Sequence, residues 1–255
     1  MARVPKSAHR SPTLPEWRRF VFAVDNHGDK ADPSAVVAFH AFVADWKPKI
    51  RVHGGDCWDF RPLRKKADKE ERRDSMLVDY AEGKLFLETF RPEVLSRGNH
   101  DERLWDLSQK DNGILSDFAI KCVQEVETLA AKIGFRMLEY NKRTGIYRVG
   151  SLKCIHGYFS GVTAARRTAL AYGSVVMGHG HAIDHQTIEG IDPRMGRMVG
   201  CLCLLDMEYN RAQIGTLRHA HGWLAGVVNE RTGEYHCQQI QRIGEKWTHE
   251  ILWTL

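Results

Sequence analysis

Residues 97–101 read Arg97-Gly98-Asn99-His100-Asp101 and combine a glycine with three metal-binding or proton-carrying side chains. They follow a short apolar run, Val94-Leu95-Ser96, which predicts the end of a β-strand. Gly98 allows a tight turn with close backbone approach, and the next three side chains bring an amide oxygen, an imidazole and a carboxylate into one loop. Asn99 offers a neutral oxygen to a cation, and His100 holds a proton near neutral pH. Alone, this composition is also that of an ordinary polar turn, so its meaning depends on the loops around it.

Four further polar loops follow predicted strands along the chain. They are Asp25-x-His27, Gly55-Asp56-x-x-Asp59, His156-Gly157 and Gly178-His179-x-His181. Each one alone is typical of a turn or of a hydrogen-bonded histidine. Five such loops in order, each after a predicted strand, favour a metal site. Side-chain alternation along a strand predicts that Asp25 and His27 point the same way, and likewise His179 and His181.

The order of predicted elements is strand, polar loop, helix, strand, polar loop. Asp32 followed by Pro33 is a typical helix start, with Asp as the N-cap and Pro at the first helical position. Such βαβ order predicts an α/β fold with parallel strands and chemistry at their carboxyl ends. Strands are predicted at 19–24, 49–53, 94–96, 151–155, 174–177, 185–189, 197–206, 223–229, 234–241 and 247–253, and helices at 33–46, within 60–91, at 114–133 and at 161–172.

The chain has 255 residues, which is enough for one large α/β domain. Residues 1–16 contain three prolines and few apolar side chains, and we expect a basic flexible tail there. Residues 17–255 are predicted to form a single domain, with helical insertions at about 60–91 and 102–133.

Composition and charge exclude several classes of protein. The net charge is +5, but residues 1–19 carry +4 of it, so the body is not a strongly basic DNA-binding domain. No apolar run approaches the roughly 18 residues of a membrane span, and the N-terminus has no apolar core of a secretory signal. The six cysteines form no C-x-x-C pair, which disfavours a zinc ribbon. We therefore expect reduced thiols and a cytoplasmic location.

The chemistry of the five loops suits divalent metal ions. Carboxylate and amide oxygens combined with imidazole nitrogens favour Mn, Fe, Zn, Co or Ni. Two divalent ions about 3.5–4 Å apart need a bridging ligand, and a carboxylate can bridge them.

The five loops closely resemble the motifs of the calcineurin-like metallophosphoesterase family: D-x-H, G-D-x-x-D, G-N-H-D/E, a lone H, and G-H-x-H. All five are present between residues 25 and 181. The resemblance implies a four-layer α/β/β/α sandwich with a dinuclear metal site at the strand ends, holding two divalent ions, Mn²⁺ first among the candidates. It implies these ligands: Asp25, His27 and His181 for the first ion, Asn99, His156 and His179 for the second, and Asp56 as the bridge.

The resemblance also implies roles for three groups beside the metals. His100 would be catalytic, contacting the substrate phosphate and protonating the leaving oxygen. Asp101 would hold His100 in position. Asp59 is similar to a carboxylate that orients the metal ligands.

The activity that the resemblance implies is metal-dependent hydrolysis of phosphate esters. We predict a phosphodiesterase acting on a nucleotide or nucleic acid, with Arg61 and Arg64 as phosphate-binding cations and Trp58 and Tyr158 as stacking faces. These four side chains also fit a solvated face or core packing. A phosphomonoesterase, a protein phosphatase and a catalytically inactive scaffold are therefore alternatives, although the intact ligand set favours catalysis. No membrane partner is expected, and the sequence leaves the oligomeric state open.

Overall fold

The computed structural model describes residues 17–65, 67–111, 113–206 and 214–252. The predicted tail at 1–16 lies outside these residues. The strands in the described part are β1 (Trp17–Ala23), β2 (Ile50–His53), β3 (Val94–Ser96), β4 (Arg136–Leu138), β5 (Tyr147–Val149), β6 (Leu152–Cys154), β7 (Val175–Met177), β8 (Ile183–Ile188), β9 (Arg194–Val199), β10 (Gly222–Asn229), β11 (Tyr235–Ile243) and β12 (Lys246–Trp247). The α-helices are α1 (Pro33–Trp46), α2 (Met76–Phe90), α3 (Glu102–Ser108), α4 (Ile114–Ile133), α5 (Ala164–Tyr172) and α6 (Thr248–Leu252).

The strands form two sheets. The larger has the order β12-β11-β10-β1-β2-β3-β4, and the smaller has the order β5-β6-β7-β9-β8. Strands β1 to β4 run parallel, as do β6 and β7. This confirms the α/β class and gives each sheet an edge where several strands end together.

Side-chain alternation along β1 separates two hydrophobic cores. Phe20 and Phe22 pack between the sheets, in one cluster with Val176 of the smaller sheet. Val21 and Ala23 point the other way and pack against α1 and α2. A strand that is apolar on both faces is buried on both faces, which is why this segment is a continuous apolar run.

The smaller sheet repeats this pattern with a helix on its outer face. Val175 and Met177 of β7 pack in one cluster with Ala164 and Ala169 of α5, whereas Val176 between them faces the larger sheet. The hydrophobic clusters thus follow the order helix, sheet, sheet, helix.

Helix boundaries follow the capping residues. The Asp32 carboxylate accepts a hydrogen bond from the Ala35 N–H at 2.9 Å, so the predicted N-cap forms. Gly134 ends α4 in a left-handed conformation. Helices α2 and α4 lie in the segments predicted as insertions at 60–91 and 102–133, and they connect β2 to β3 and β3 to β4. None of the helices within the described residues is long and apolar enough to cross a membrane.

Two strand predictions near the C-terminus are wrong. In the segment predicted as a strand at 247–253, β12 ends at Trp247 and α6 (Thr248–Leu252) follows it, whereas residue 253 lies outside the described residues. The Glu250 carboxylate accepts the Trp247 N–H at 2.9 Å. The segment 197–206 is a strand only to Val199, because Gly200 turns the chain at a φ of +85°. Short apolar runs do not distinguish strand from helix by periodicity.

Candidate metal centre

The five polar loops meet at one edge of the molecule. They follow β1, β2 and β3 in the larger sheet and β6 and β7 in the smaller one. Of the seven predicted metal ligands, two are partly exposed, Asn99 and His179. The other five are buried: Asp25, His27, Asp56, His156 and His181.

Five of these seven residues have a left-handed backbone. They are Asp25 (φ 58°), His27 (53°), Asp56 (50°), His179 (66°) and His181 (52°). This conformation is uncommon for residues other than glycine and costs about 1–3 kcal/mol at each position. All five lie beyond the ends of their strands, so strand alternation is the wrong reason for their convergence. Their side chains converge because tight left-handed turns aim them inward.

Backbone hydrogen bonds between loops maintain these turns. The Asp25 N–H donates to the Gly55 carbonyl and the His27 N–H to the Asp56 carbonyl, both at 3.0 Å. Gly98 lies against the same loop, and a Cβ atom there would come within 2.1 Å of the Asp56 carboxylate. This contact confirms the close approach predicted for Gly98.

One group of ligand atoms comprises Asp25, His27 and Asp56, all within 4.8 Å of one another. His181 joins it, because its Nε2 atom lies 3.1 Å from Nε2 of His27. Oδ1 of Asp25 is buried and makes no hydrogen bond with the described part of the chain. Such an orphaned carboxylate oxygen is costly without a cation.

A second group comprises Asp56, His156 and His179. Oδ1 of Asn99 lies 3.0 Å from Nε2 of His156 and 2.7 Å from Nδ1 of His179. Asp56 belongs to both groups, which is the position of a bridging carboxylate. The oxygen and nitrogen donors of both groups fit divalent cations.

The electrostatics favour positive charge at both groups. Burial lowers the pKa of His27, but the Asp59 carboxylate 3.5 Å from its Nδ1 and the charges of Asp56 and Asp25 outweigh burial and raise this pKa to about 10. In the second group, Asp56 and Asp25 outweigh burial and raise the pKa of His156 to about 9. Each group therefore stabilises a positive charge in its interior, which supports cation binding.

The surroundings shift the pKa values of Asp25 and Asp56 in opposite directions. Burial raises the pKa of Asp25 to about 7, against the lowering effect of His156. Burial acts on Asp56 in the same sense, but the charges of His156, His100 and His27 hold its pKa well below the usual range. Asp56 is therefore the more strongly ionised carboxylate of the two.

His100 is positioned by Asp59 and not by Asp101, which corrects the predicted pairing. Nδ1 of His100 donates to Oδ1 of Asp59, leaving Nε2 at 3.9 Å from Oδ2 of Asp56. Asp101 instead accepts the Gly98 N–H at 2.8 Å and the Trp58 N–H at 3.0 Å. Asp101 thus joins two loops, whereas Asp59 orients His100 and lies 3.5 Å from Nδ1 of His27.

The structure contradicts the predicted substrate contacts of Trp58 and Arg61, because both side chains are buried. Trp58 has no exposed surface and packs in the core with its Nε1–H donating to the Tyr80 carbonyl at 3.1 Å, so no substrate base can stack on it. Arg61 is buried and pairs with three carboxylates, one of them Asp59 at 3.1 Å. Arg64 pairs with Glu71.

Tyr158 is half-buried near this edge of the smaller sheet. Its ring stacks on Tyr140, with centroids 5.0 Å apart, and on Tyr172, with centroids 6.3 Å apart. Tyr158 remains a candidate for substrate binding.

Several positioning residues carried no recognised sequence signal. Asp79 of α2 accepts the N–H groups of Asp59 (3.2 Å) and Phe60 (2.6 Å), which fixes the loop after β2. Cys203 places its Sγ atom 3.6 Å from Nδ1 of His181, although the sequence indicated only a buried thiol. The stretch Arg218-His219-Ala220-His221 has two histidines two residues apart, which is a sequence pattern that could have indicated a place near the metal centre.

A groove of about 430 Å³ opens over the two ligand groups. His100, His179 and His181 line it. Residues 160–162 line it as well, and so do Gly215, Thr216, Arg218 and His219. This volume is typical of small-molecule sites, which span about 300–1,000 Å³.

Comparisons with known proteins give weak likenesses. No protein-family model matches the chain, and no curated protein matches it. Among solved structures, Vacuolar Protein Sorting 29 from Cryptosporidium parvum is 11% identical, covers 91% of this chain and 95% of its own, and has a TM-score of 0.46. Yfce, a phosphoesterase from E. coli, is 13% identical, covers 87% and 97%, and has a TM-score of 0.39.

GAP50, the anchor in the inner membrane complex of Plasmodium, is 11% identical, covers 90% of each chain and has a TM-score of 0.35. In its five loops the chain resembles the calcineurin-like metallophosphoesterases.

Proposed function

We propose that this chain is a calcineurin-like metallophosphoesterase that hydrolyses phosphate esters with two divalent metal ions. The observation that carries the proposal is the pair of buried ligand groups that share Asp56. In this proposal Asp25, His27 and His181 hold one ion, and Asn99, His156 and His179 hold the other. Carboxylate and imidazole ligands suit Mn, Fe, Zn, Ni and Co. We take Mn²⁺ as the first candidate of these five.

Bound ions would supply charge neutralisation of the phosphoryl oxygens and activation of water. His100 lines the groove and would contact the phosphate through Nε2. Because Nδ1 of His100 donates to Asp59, the proton of a charged His100 available for transfer lies on Nε2. Burial lowers the pKa of His100, although Asp56 and Asp59 oppose that effect. A protonated His100 would therefore release its proton readily to a leaving oxygen.

We propose that the substrate is a phosphodiester of a nucleotide or nucleic acid. The groove supports it, because its volume suits a small ligand. Tyr158 would lie at the substrate edge. The free thiols of the six cysteines suit the cytoplasmic location that we also propose.

A rate panel tests the proposal. Purified protein is stripped of metal, reloaded with Mn, Ni, Zn or Mg, and assayed on a nitrophenyl monoester, bis(4-nitrophenyl) phosphate, cyclic nucleotides, DNA, RNA and a phosphopeptide. We expect metal-dependent hydrolysis with a preference for diesters. Cleavage of monoesters alone would favour a phosphomonoesterase, cleavage of the phosphopeptide a protein phosphatase, and no turnover with any metal an inactive scaffold.

A further inference from the structure

The segment that carries Arg218 is attached to the first ligand group. The His181 carbonyl accepts the Ala220 N–H at 2.9 Å, and His219 forms a β-bridge with Ala182. The His219 ring lies 5.0 Å from the His181 ring, centroid to centroid. The groove lining beside this group is therefore joined to the loop that holds His181.

Arg218 supplies positive charge to this lining. Among the described residues that line the groove it is the only arginine or lysine, and none of those residues is an aspartate or glutamate. Its side chain is exposed. Within the described chain the Arg218 guanidinium makes no hydrogen bond or ion pair. Arg61 and Arg64, by contrast, are engaged by carboxylates of the chain itself.

The lining residues 160–162 differ from Arg218 in chemistry. Ser160, Gly161 and Val162 carry no charge, and Val162 is 68% exposed. The acidic side chains of the site, Asp25 and Asp56, are buried within the ligand groups. Among the described lining residues, Arg218 is therefore the one permanent cation that no carboxylate of the described chain engages.

We propose that Arg218 binds a second phosphate of the substrate, next to the one that the metal site would hydrolyse. A planar guanidinium matches phosphate oxygens in a bidentate fashion. The substrate is then a compound with adjacent phosphates, either a nucleoside polyphosphate or an oligonucleotide. This inference rests on the proposed function and assigns it a specificity-determining residue.

Binding measurements test the inference without turnover. Metal-loaded protein is titrated with inorganic phosphate and with inorganic pyrophosphate by calorimetry, comparing the parent with Arg218→Ala. Loss of a charge-assisted hydrogen bond predicts a ten- to hundredfold weaker affinity for pyrophosphate, which is about 1.4–2.7 kcal/mol. Affinity for phosphate should change less than about twofold. The control is Arg148→Ala, an exposed arginine outside the groove, and it should leave both affinities unchanged.

Hydrolysis then distinguishes the two sources of the second phosphate. One matched pair is TpT and pTpT; the other is the 4-nitrophenyl ester of thymidine monophosphate and that of thymidine diphosphate. We expect Arg218→Ala to raise KM for the two-phosphate member of at least one pair, and the affected pair identifies the source. Equal effects of Arg218→Ala on phosphate and pyrophosphate binding, or effects no larger than those of Arg148→Ala, would overturn the inference. Metal-dependent cleavage of one-phosphate esters would persist in that case, so the proposed function would survive.

Discussion

Replacing Asp59 by Asn should weaken proton transfer by His100 while keeping a side chain of the same shape beside His27. Asp59 is completely buried, and its Oδ1 accepts from Nδ1 of His100. Its Oδ2 accepts from Arg61 at 3.1 Å. Asn keeps the shape of the side chain but removes the negative charge that stabilises a protonated His100. The variant should therefore lose general acid catalysis more than any other function.

The expected loss follows from the charge that disappears. A unit charge about 4 Å away at an effective dielectric of about 20 contributes about 4 kcal/mol, so loss of the Asp59 charge should lower the pKa of His100 further. Arg61 already offsets part of the Asp59 charge, so the net effect is smaller. General acid catalysis is typically worth about 10²–10⁴ in rate. We expect kcat to fall about 10²–10³-fold on alkyl phosphate esters, whose leaving oxygen needs a proton.

The assay compares alkyl and 4-nitrophenyl esters for Asp59→Asn, His100→Asn and Asp101→Asn. Nitrophenolate leaves without a proton, so the first two variants should lose less than about tenfold on the nitrophenyl ester. Asp101 accepts backbone N–H groups and does not contact His100 in the described structure, so Asp101→Asn should affect both esters equally. Equal losses for Asp59→Asn on both esters, or a leaving-group dependence for Asp101→Asn, would refute the reasoning.

Three stability predictions follow from buried contacts. Burial raises the pKa of Asp79 to about 7, so between about pH 4 and pH 7 only the folded state holds this proton and stability falls as pH rises, by up to about 1.4 kcal/mol per pH unit. In urea unfolding without metal, the free energy of unfolding of Asp79→Asn should therefore fall less with rising pH than that of the parent. Identical pH slopes for the parent and the variant would contradict this prediction. Gly28 has a φ of +50° and a Cβ there would lie 1.8 Å from Asp79 Oδ1, so Gly28→Ala should cost at least about 1–3 kcal/mol in the same assay, and unchanged stability would argue against this contact. Trp58→Ala should cost about 3–5 kcal/mol by opening a cavity, whereas a raised KM with full stability would restore its predicted substrate role.

The fold was predictable where local chemistry and periodicity agree. Asp32 and Pro33 start α1 as expected, and the apolar run of β1 is buried on both faces. The residues around 247–253 were not predictable, because their apolar spacing fits both a strand and a helix. There the hydrogen bond between Glu250 and the Trp247 backbone accompanies the start of a helix.

The candidate site, like the fold, was predictable from the sequence only in part. Motif order brings the seven predicted ligands together, because parallel strands end at a common edge. The partner of His100 was not predictable from proximity in sequence, since Asp101 is adjacent yet Asp59 makes the contact across 41 positions. Trp58 and Arg61 lie close to the metal loops in sequence but are buried, and burial depends on tertiary packing. Arg218 reaches the groove only through the pairing of its segment with the His181 loop.

Metal content tests the central claim most directly. The chain is stripped with a chelator, reloaded with Mn²⁺, freed of excess metal and analysed for metal per chain, alongside Asp56→Asn and a control, Asp106→Asn, at an exposed position of α3. Since Asp56 belongs to both ligand groups, the parent and the control should bind two ions per chain and Asp56→Asn clearly fewer. Two ions in Asp56→Asn, or no more than one in the parent, would contradict the shared dinuclear site.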